Sequence, residues 1–512
     1  MDGEEALMQL RHLGAALTDS EEDIRIAAAE AVGQLGAVAI GLAPRVASLL
    51  RDRSAEVRRA AVDALGVLAQ GGAADSVDFA GDVASALNDP AGLVRAAAAL
   101  ALGRMQASSY AAELRDRLED AEPDVVSSAL VAVGLWGADG QELASAVERC
   151  LSHPARGVRA VAIGTLLKVG GDLQGPAGKV AELLADQDGA VREAAVSYFE
   201  FLGERGASEA DRMAQVLESG DGRARAAALM ALGCARAQTF AEEVAKHLED
   251  AFEDDIAEAQ CAAGAAKALP ATLRRPACAA AMALALMGEE GWMYADQVAD
   301  ILDAEQPTEV KATFLHALGL MGSQGLSYDS LAIKMLRHPA GPVRASACFA
   351  LGEFSLIEED YDRADAVAGR LEDPLAAVRE AAAEALAKMP EEGPRRAEGI
   401  FKLLTDRVAN VQIAAIKALG AFGDVGQMYA SEVCRLVSGD DMDVRLKAIE
   451  AVGDMGDRGA ALADELAPLL EDPSPYIRAE VLQALAKMGE EAAEYLFVIR
   501  SLMDDPAEAV RE

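Results

Sequence analysis

Aromatic side chains are scarce in this sequence. Phe, Trp and Tyr make up 4% of its 512 residues, too few to fill one large globular core. Histidine is scarcer still, with only His12, His153, His247, His316 and His338. None lies four residues from another and none is followed by glutamate, so the paired ligands of a helical metal site are missing. The six cysteines (Cys150, Cys234, Cys261, Cys278, Cys348 and Cys434) are scattered, with no pair at metal or redox spacing. They read as reduced core residues in a cytosol-like compartment. No Gly-x-Ser-x-Gly elbow occurs. Gly178-Lys179 resembles the end of a phosphate loop, but Leu173 stands where the first glycine is needed and Val180 where the hydroxyl is needed. Catalytic residues, cofactors and metals are therefore not expected.

Long apolar runs are also missing. The alanine-rich stretch 277–287 is too short to span a bilayer, and Met-Asp-Gly-Glu-Glu at the start is not a secretory signal. The expected location is cytoplasmic, with an organelle lumen left open if a transit peptide was removed. Positive charge is in deficit: 47 Lys and Arg against 85 Asp and Glu, a net charge of −38. That field repels phosphate backbones and anionic membranes, which argues against nucleic-acid binding and direct membrane insertion. Long-range steering instead favours a protein partner with a basic surface.

What the chain has in abundance is repetition. An apolar anchor returns at Ile24, Val57, Val94, Val125, Val158, Val191, Ala224 and Ile256, then at Val310, Val343, Val378, Val411, Val444, Ile477 and Val510. Most intervals are 31 to 33 residues, a period that means stacked supersecondary units. Each unit reads as two helices. In 459–489, Leu462, Leu466, Leu469 and Leu470 share one face of a first helix. A turn at Glu471-Asp472-Pro473-Ser474-Pro475 follows, and Ile477, Val481, Leu482, Leu485 and Met488 form the apolar face of a second helix. Gly489 ends it. The same stop recurs twelve residues after the anchor at Gly36, Gly137, Gly170, Gly203, Gly322, Gly423 and Gly456. The expected fold class is an all-α solenoid of about fifteen two-helix repeats, in which neighbours bury one another and no single large core is needed. Three segments are expected: a half-array over 1–249, an irregular repeat or bend over 250–290, and a second half-array over 291–512 whose last repeat is incomplete. The 54-residue step from Ile256 to Val310 and the two prolines in 268–277 mark the irregular part.

An aspartate five residues before the anchor recurs with an arginine one residue after it: Asp19/Arg25, Asp52/Arg58, Asp89/Arg95, Asp186/Arg192, Asp373/Arg379, Asp472/Arg478 and Asp505/Arg511. This pairing resembles the HEAT-repeat family, and the short period is most similar to its phycobilisome-lyase-type subclass. The resemblance implies that these side chains link successive turns as an internal ladder. Physically, the aspartate can cap a helix start and the guanidinium fork can reach a neighbouring turn's carboxylate or carbonyls. Val126, Lys311 and Gln412 replace the arginine, and His153 and His338 the aspartate; those layers are expected to be held less well. The resemblance also implies that second helices line a concave side.

On that side the polar edge fades mid-chain. The sixth residue after the anchor is Glu30, Asp63, Glu384, Lys417, Glu450 and Gln483 in outer repeats, but Leu100, Val131, Gly164, Ser197, Met230, His316 and Phe349 in central ones. The fifth is apolar there too, as at Leu130 and Leu229. The expectation is a partner groove lined by Leu100, Leu130, Val131, Leu229, Met230, His316 and Phe349. The text stops at Ala-Val-Arg-Glu (509–512), where a second helix should begin, as expected of a piece of a longer array. The leading reading is a non-catalytic scaffold that holds a partner protein along its concave surface. Alternatives are a bilin-lyase-like or pigment-handling protein and a regulatory scaffold resembling phosphatase scaffolds.

Overall fold

The computed structural model describes residues 3–70, 79–250 and 270–511. Among these residues all regular structure is helical. The second helices run in chain order as α1 (Glu22–Leu35), α2 (Ala55–Gln70), α3 (Gly92–Arg104), α4 (Pro123–Trp136), α5 (Arg156–Val169), α6 (Gly189–Leu202), α7 (Gly222–Cys234), α8 (Pro276–Leu286), α9 (Thr308–Leu320), α10 (Gly341–Ser355), α11 (Ala376–Ala387), α12 (Ala409–Ala421), α13 (Met442–Asp454) and α14 (Pro475–Met488). From α2 on, each is paired with a shorter first helix, such as Ala111–Arg117 before α4; the helix before α1, Gly3–Ala16, is as long as α1 itself.

The anchors start the buried stripe of each second helix. Val57, Val94, Val125, Val191, Val343, Val378, Val411 and Ile477 have no exposed surface. Ile24 is the exception at 42%. Some of the few aromatics go inward as well: Tyr198, Phe199 and Phe314 are fully buried. The stop glycines all have positive φ, from 53° at Gly36 to 71° at Gly170 among the seven that recur, with Gly489 at 65°. Their ψ values, such as −132° at Gly36 and −126° at Gly137, lie outside the left-handed helical well, in a region essentially reserved for glycine.

Two compact units divide the chain. One comprises Met1–Ala237 and Glu253–Arg275, the other Gln238–Phe252 and Pro276–Glu512. Within the first, α1 to α7 pack each on the next; within the second, α8 to α14 do the same. The break in period has a local cause. Helix Ala241–Ala245 packs on α8, so the two form one repeat, although about thirty residues separate them in sequence. Gly288 (φ 74°) lies twelve residues after Pro276, and Val310 follows 34 after it. The regular period thus resumes at α8. Ile256 and Cys261 lie outside the described residues.

Residues 22–51 are apolar enough by composition to pass for a bilayer span. They are not one continuous rod, because Gly36 turns the chain and divides α1 from the first helix of the next repeat, Ala43–Ser48.

The ladder runs diagonally. Within a repeat, Arg25 Nη1 donates to the Asp19 backbone carbonyl at 2.9 Å. Its Nε and Nη2 donate to both carboxylate oxygens of Asp52 in the following repeat, at 2.8 and 3.0 Å. The same two-pronged pairing joins Arg58 to Asp89, Arg95 to Asp120, Arg159 to Asp186, Arg344 to Asp373, Arg379 to Asp406 and Arg478 to Asp505. Arg445 reaches Asp472 through Nη2. Each aspartate also accepts an N–H two residues on, as Asp52 does from Ser54 at 2.9 Å. It therefore closes the turn before the helix and does not cap the helix itself.

Three departures from the pattern come in matched pairs. Val126 faces the repeat headed by His153, Lys311 the one headed by His338, and Gln412 the one headed by Gly439. The two histidines keep the turn-closing role, with Nδ1 accepting from Ala155 and Ala340 at 3.1 Å. Arg192 donates to the Asp186 and Gln187 carbonyls, while Ser219 stands in the aspartate position ahead of it.

Hydrogen bonds from Arg95, Arg379 and Arg478 hold the carboxyls of Asp120, Asp406 and Asp505 below their ordinary range. A depressed carboxylate stabilises the fold above its unfolded pKa and loses that contribution as pH falls through the folded one. The melting temperature is expected to be nearly level from about pH 7 to about pH 5 and to drop below about pH 4. Scanning calorimetry should show a shallower acid drop for Asp406→Asn. A melting temperature unchanged down to about pH 2.5 would contradict the ladder's role.

Candidate partner-binding face

The second helices stack closely because small residues meet. Between α1 and α4, from α9 to α11 and between α13 and α14, the glycine nine residues after the anchor sits against the alanine seven residues after the next anchor. A Cβ on Gly103 would lie 2.6 Å from Ala132 Cα, and one on Gly352 would lie 2.9 Å from Ala385 Cα. The residue ten after the anchor then lies over the preceding repeat's glycine. Leu135 crosses Gly103, Lys168 crosses Gly134 and Lys388 crosses Gly352.

This spacing leaves two columns facing outward in the first unit, six and ten residues after the anchor and one helical turn apart. Val131 is 36% exposed and Leu100 half-buried. In the other column Val67, Leu135 and Phe201 are exposed, the last at 59%. Gly164 lies between them with nothing within 4 Å of a Cβ position, so it forms a notch on α5. The result is a surface across α2 to α6 in which exposed apolar side chains are interrupted by Arg104 on α3 and the exposed Lys168 on α5.

Three expected groove residues are not on this surface. Leu130 and Leu229 have no exposed area and Met230 has 5%. The fifth position lies about 100° round the helix from the sixth and turns into the interior, where its apolar side chains serve packing. Met230 sits on α7, against which the turn Ala271–Arg274 packs. The column ten residues after the anchor was legible as the next turn of the same face, and the sequence reading omitted it.

His316 and Phe349 are half-buried neighbours on α9 and α10 of the second unit. Their rings stack with centroids 3.8 Å apart and planes 10° apart. Lys388 Nζ stands 4.9 Å from the Phe349 centroid and pairs with Glu353. Burial, helped by Lys388 and opposed by Glu353, lowers the His316 pKa. A neutral imidazole on an aromatic ring joins two repeats where Lys311 and His338 leave no arginine–aspartate rung.

Among the described residues no group of three or more His, Cys, Asp or Glu side chains could hold a metal ion. Burial pushes the thiols of Cys150 and Cys434 up to about 11 and those of Cys234 and Cys348 up to about 12, away from the thiolate a nucleophile needs. A recess of 510 Å³ is lined by Ser108, Ser109, Asp139 and Glu142, a polar lining without the apolar wall that a planar tetrapyrrole would need.

The family model for HEAT repeats matches residues 42–134, 329–420 and 430–512, together more than half of the chain. The chain belongs to the HEAT-repeat family. No curated protein matches it in sequence. Among solved structures it resembles yeast importin-β (Kap95p), at 12% identity and a TM-score of 0.62, over 98% of this chain and 75% of that one. Kap95 in complex with Nup1 gives 11% identity and a TM-score of 0.55, over 98% and 75% of the two chains. Kap95p with RanGDP gives 12% and 0.51, over 99% and 76%. At such identity the likeness is one of fold, an all-α solenoid of HEAT repeats.

Proposed function

We propose that this HEAT-repeat protein is a non-catalytic scaffold that holds a partner protein on its second-helix face. The observation that carries this reading is the exposed apolar area of Leu100 on α3, Val131 and Leu135 on α4 and Phe201 on α6, with the Gly164 notch and the exposed Lys168 on α5 between them. Contiguous exposed apolar area on a soluble protein usually marks an interaction site. An apolar side chain of the partner would enter the notch, and the stacked helices would supply a rigid floor without reordering. Two of the solved relatives were captured with proteins bound, Nup1 and RanGDP, which supports a binding role for the fold. The net charge of −38 favours a partner with a basic rim, and the unbridged, scattered cysteines suit a reducing compartment such as the cytoplasm.

The test is affinity capture from cell extract with quantitative mass spectrometry, comparing the parent with Val131→Glu/Leu135→Glu. Both substitutions lie on the surface, so the melting temperature should stay within a few degrees of the parent's. At least one abundant partner is expected to fall tenfold or more in the variant, and to weaken for the parent as salt is raised. An unchanged partner profile with an unchanged melting temperature would sink the reading.

A further inference from the structure

The connector after α10 is built unlike those after α9, α12 and α13. After α9, α12 and α13 the chain turns at a positive-φ glycine (Gly322, Gly423 and Gly456) and places a second glycine (Gly325, Gly426 and Gly459) against the helix it has just left. After α10 both glycines are missing. Ser355 and Glu358 stand in their places, and the helix runs on to Ser355, whose hydroxyl donates to the Leu351 carbonyl at 2.9 Å. The chain then passes through Leu356 and Ile357 and an extended stretch, and Asp360 caps the helix Tyr361–Ala368 by accepting the Arg363 N–H at 2.9 Å.

This route leaves three large apolar side chains in solvent. Leu356 is 62% exposed, Ile357 48% and Tyr361 57%. They are held in place from beneath and from one side. Arg363, buried under the loop, donates to the Glu358 carbonyl and to Asp329. Glu359 accepts the N–H groups of Glu391 and Glu392 in the next repeat at 3.2 and 3.0 Å. The Tyr361 ring lies 4.6 Å from the Arg396 guanidinium.

The charge around the patch is one-sided. Glu358, Asp362 and Asp365 are exposed, and among the described residues no cation lies within pairing distance of their carboxylates. The nearby guanidiniums are already engaged: Arg363 with Asp329, and Arg395 and Arg396 with Glu392. Oriented carboxylates beside exposed aliphatic and aromatic surface attract a partner of opposite charge that also carries apolar side chains.

We propose that the connector Leu356–Asp362 is a second docking site, taking a cationic, aliphatic-rich segment of a partner protein. The segment's apolar side chains cover Leu356, Ile357 and Tyr361, and its lysines or arginines pair with Glu358, Asp362 and Asp365. A prearranged loop binds without the cost of ordering. The site belongs to the second unit, and the proposal does not rest on the second-helix face of the first.

The experiment uses the full chain and fluorescein-labelled dodecapeptides of alternating lysine and leucine, alternating lysine and serine, and alternating glutamate and leucine. Fluorescence anisotropy should show the lysine–leucine peptide bound most tightly. Its affinity should fall tenfold or more in Leu356→Ser/Ile357→Ser and again in Glu358→Lys/Asp362→Lys. All four side chains are exposed, and circular dichroism checks that the variants remain folded. Val131→Glu/Leu135→Glu should bind the peptide as the parent does, which separates failure here from failure of the scaffold reading. Equal affinity of the lysine–leucine peptide for parent and connector variants would overturn the proposal, because binding would then be a diffuse effect of net charge. Equal binding of the glutamate–leucine peptide would overturn it too. So would a parent that sediments as a dimer and becomes monomeric in Leu356→Ser/Ile357→Ser, since the patch would then belong to a second copy of the chain.

Discussion

Replacing Arg344 by alanine is expected to destabilise the second unit by about 3–5 kcal/mol, the usual cost of stranding one partner of a buried ion pair. Its guanidinium makes four bonds. Two go to the Asp373 carboxylate, each at 2.8 Å, and two to the His338 and Pro339 carbonyls, each at 2.9 Å. The Asp373 side chain is 2% exposed, so without the arginine its charge is left with only the Leu375 N–H at 3.0 Å and the more distant Arg370 at 3.9 Å. Arg344→Lys should recover only part of the loss, since one ammonium cannot bridge both carboxylate oxygens and reach both carbonyls. Arg344→Met/Asp373→Leu should recover more than half, because well-packed apolar replacements remove the stranded charge. Urea unfolding followed by circular dichroism reads the shift in midpoint. A loss below about 1 kcal/mol in Arg344→Ala would show that the rung adds little.

Gly103→Val is expected to cost about 1–3 kcal/mol by overpacking. Its Cβ would stand 2.6 Å from Ala132 Cα and 2.8 Å from Ala132 Cβ, and backbone cannot swing aside as a flexible side chain can. Gly164→Ala should do the reverse. It too sits mid-helix, but nothing lies within 4 Å of its Cβ position, so the better helix former should add about 0.5–1 kcal/mol. The pair isolates packing from backbone preference. Urea midpoints moving the same way in both variants would refute the account of how α3 and α4 meet.

The two-helix repeat was legible because identical physical demands recur along the text. Val57, Val94 and Val125 are buried for one reason, and Gly36, Gly137 and Gly170 turn the chain for another. Register along one helix was harder to read. Leu130 and Val131 look alike as letters, yet one turns inward and the other out. The partner of each arginine was hidden by distance in sequence. Arg25 and Asp19 stand side by side in the text, while the carboxylate that Arg25 grips is Asp52, 27 residues on. The long interval in sequence between Ala245 and Pro276 hid a first helix from its second, and only packing shows that Ala241–Ala245 and α8 form one repeat. The connector after α10 carried a readable signal, the loss of both glycines, but nothing in the text said that Leu356 and Tyr361 would stay uncovered.

The diagonal ladder also governs how such a chain can change length. Each repeat has a head, the aspartate, and a tail, the arginine, and a joint closes only when tail meets head. Removing the repeat between Arg25 and Asp89 would bring two matching ends together and leave a sound joint. Removing the one headed by His153 would set Val126 against Asp186, an acid without its grip. Whole repeats can therefore be spliced in or out within a keyed run, whereas Val126 with His153, Lys311 with His338 and Gln412 with Gly439 must travel as couples.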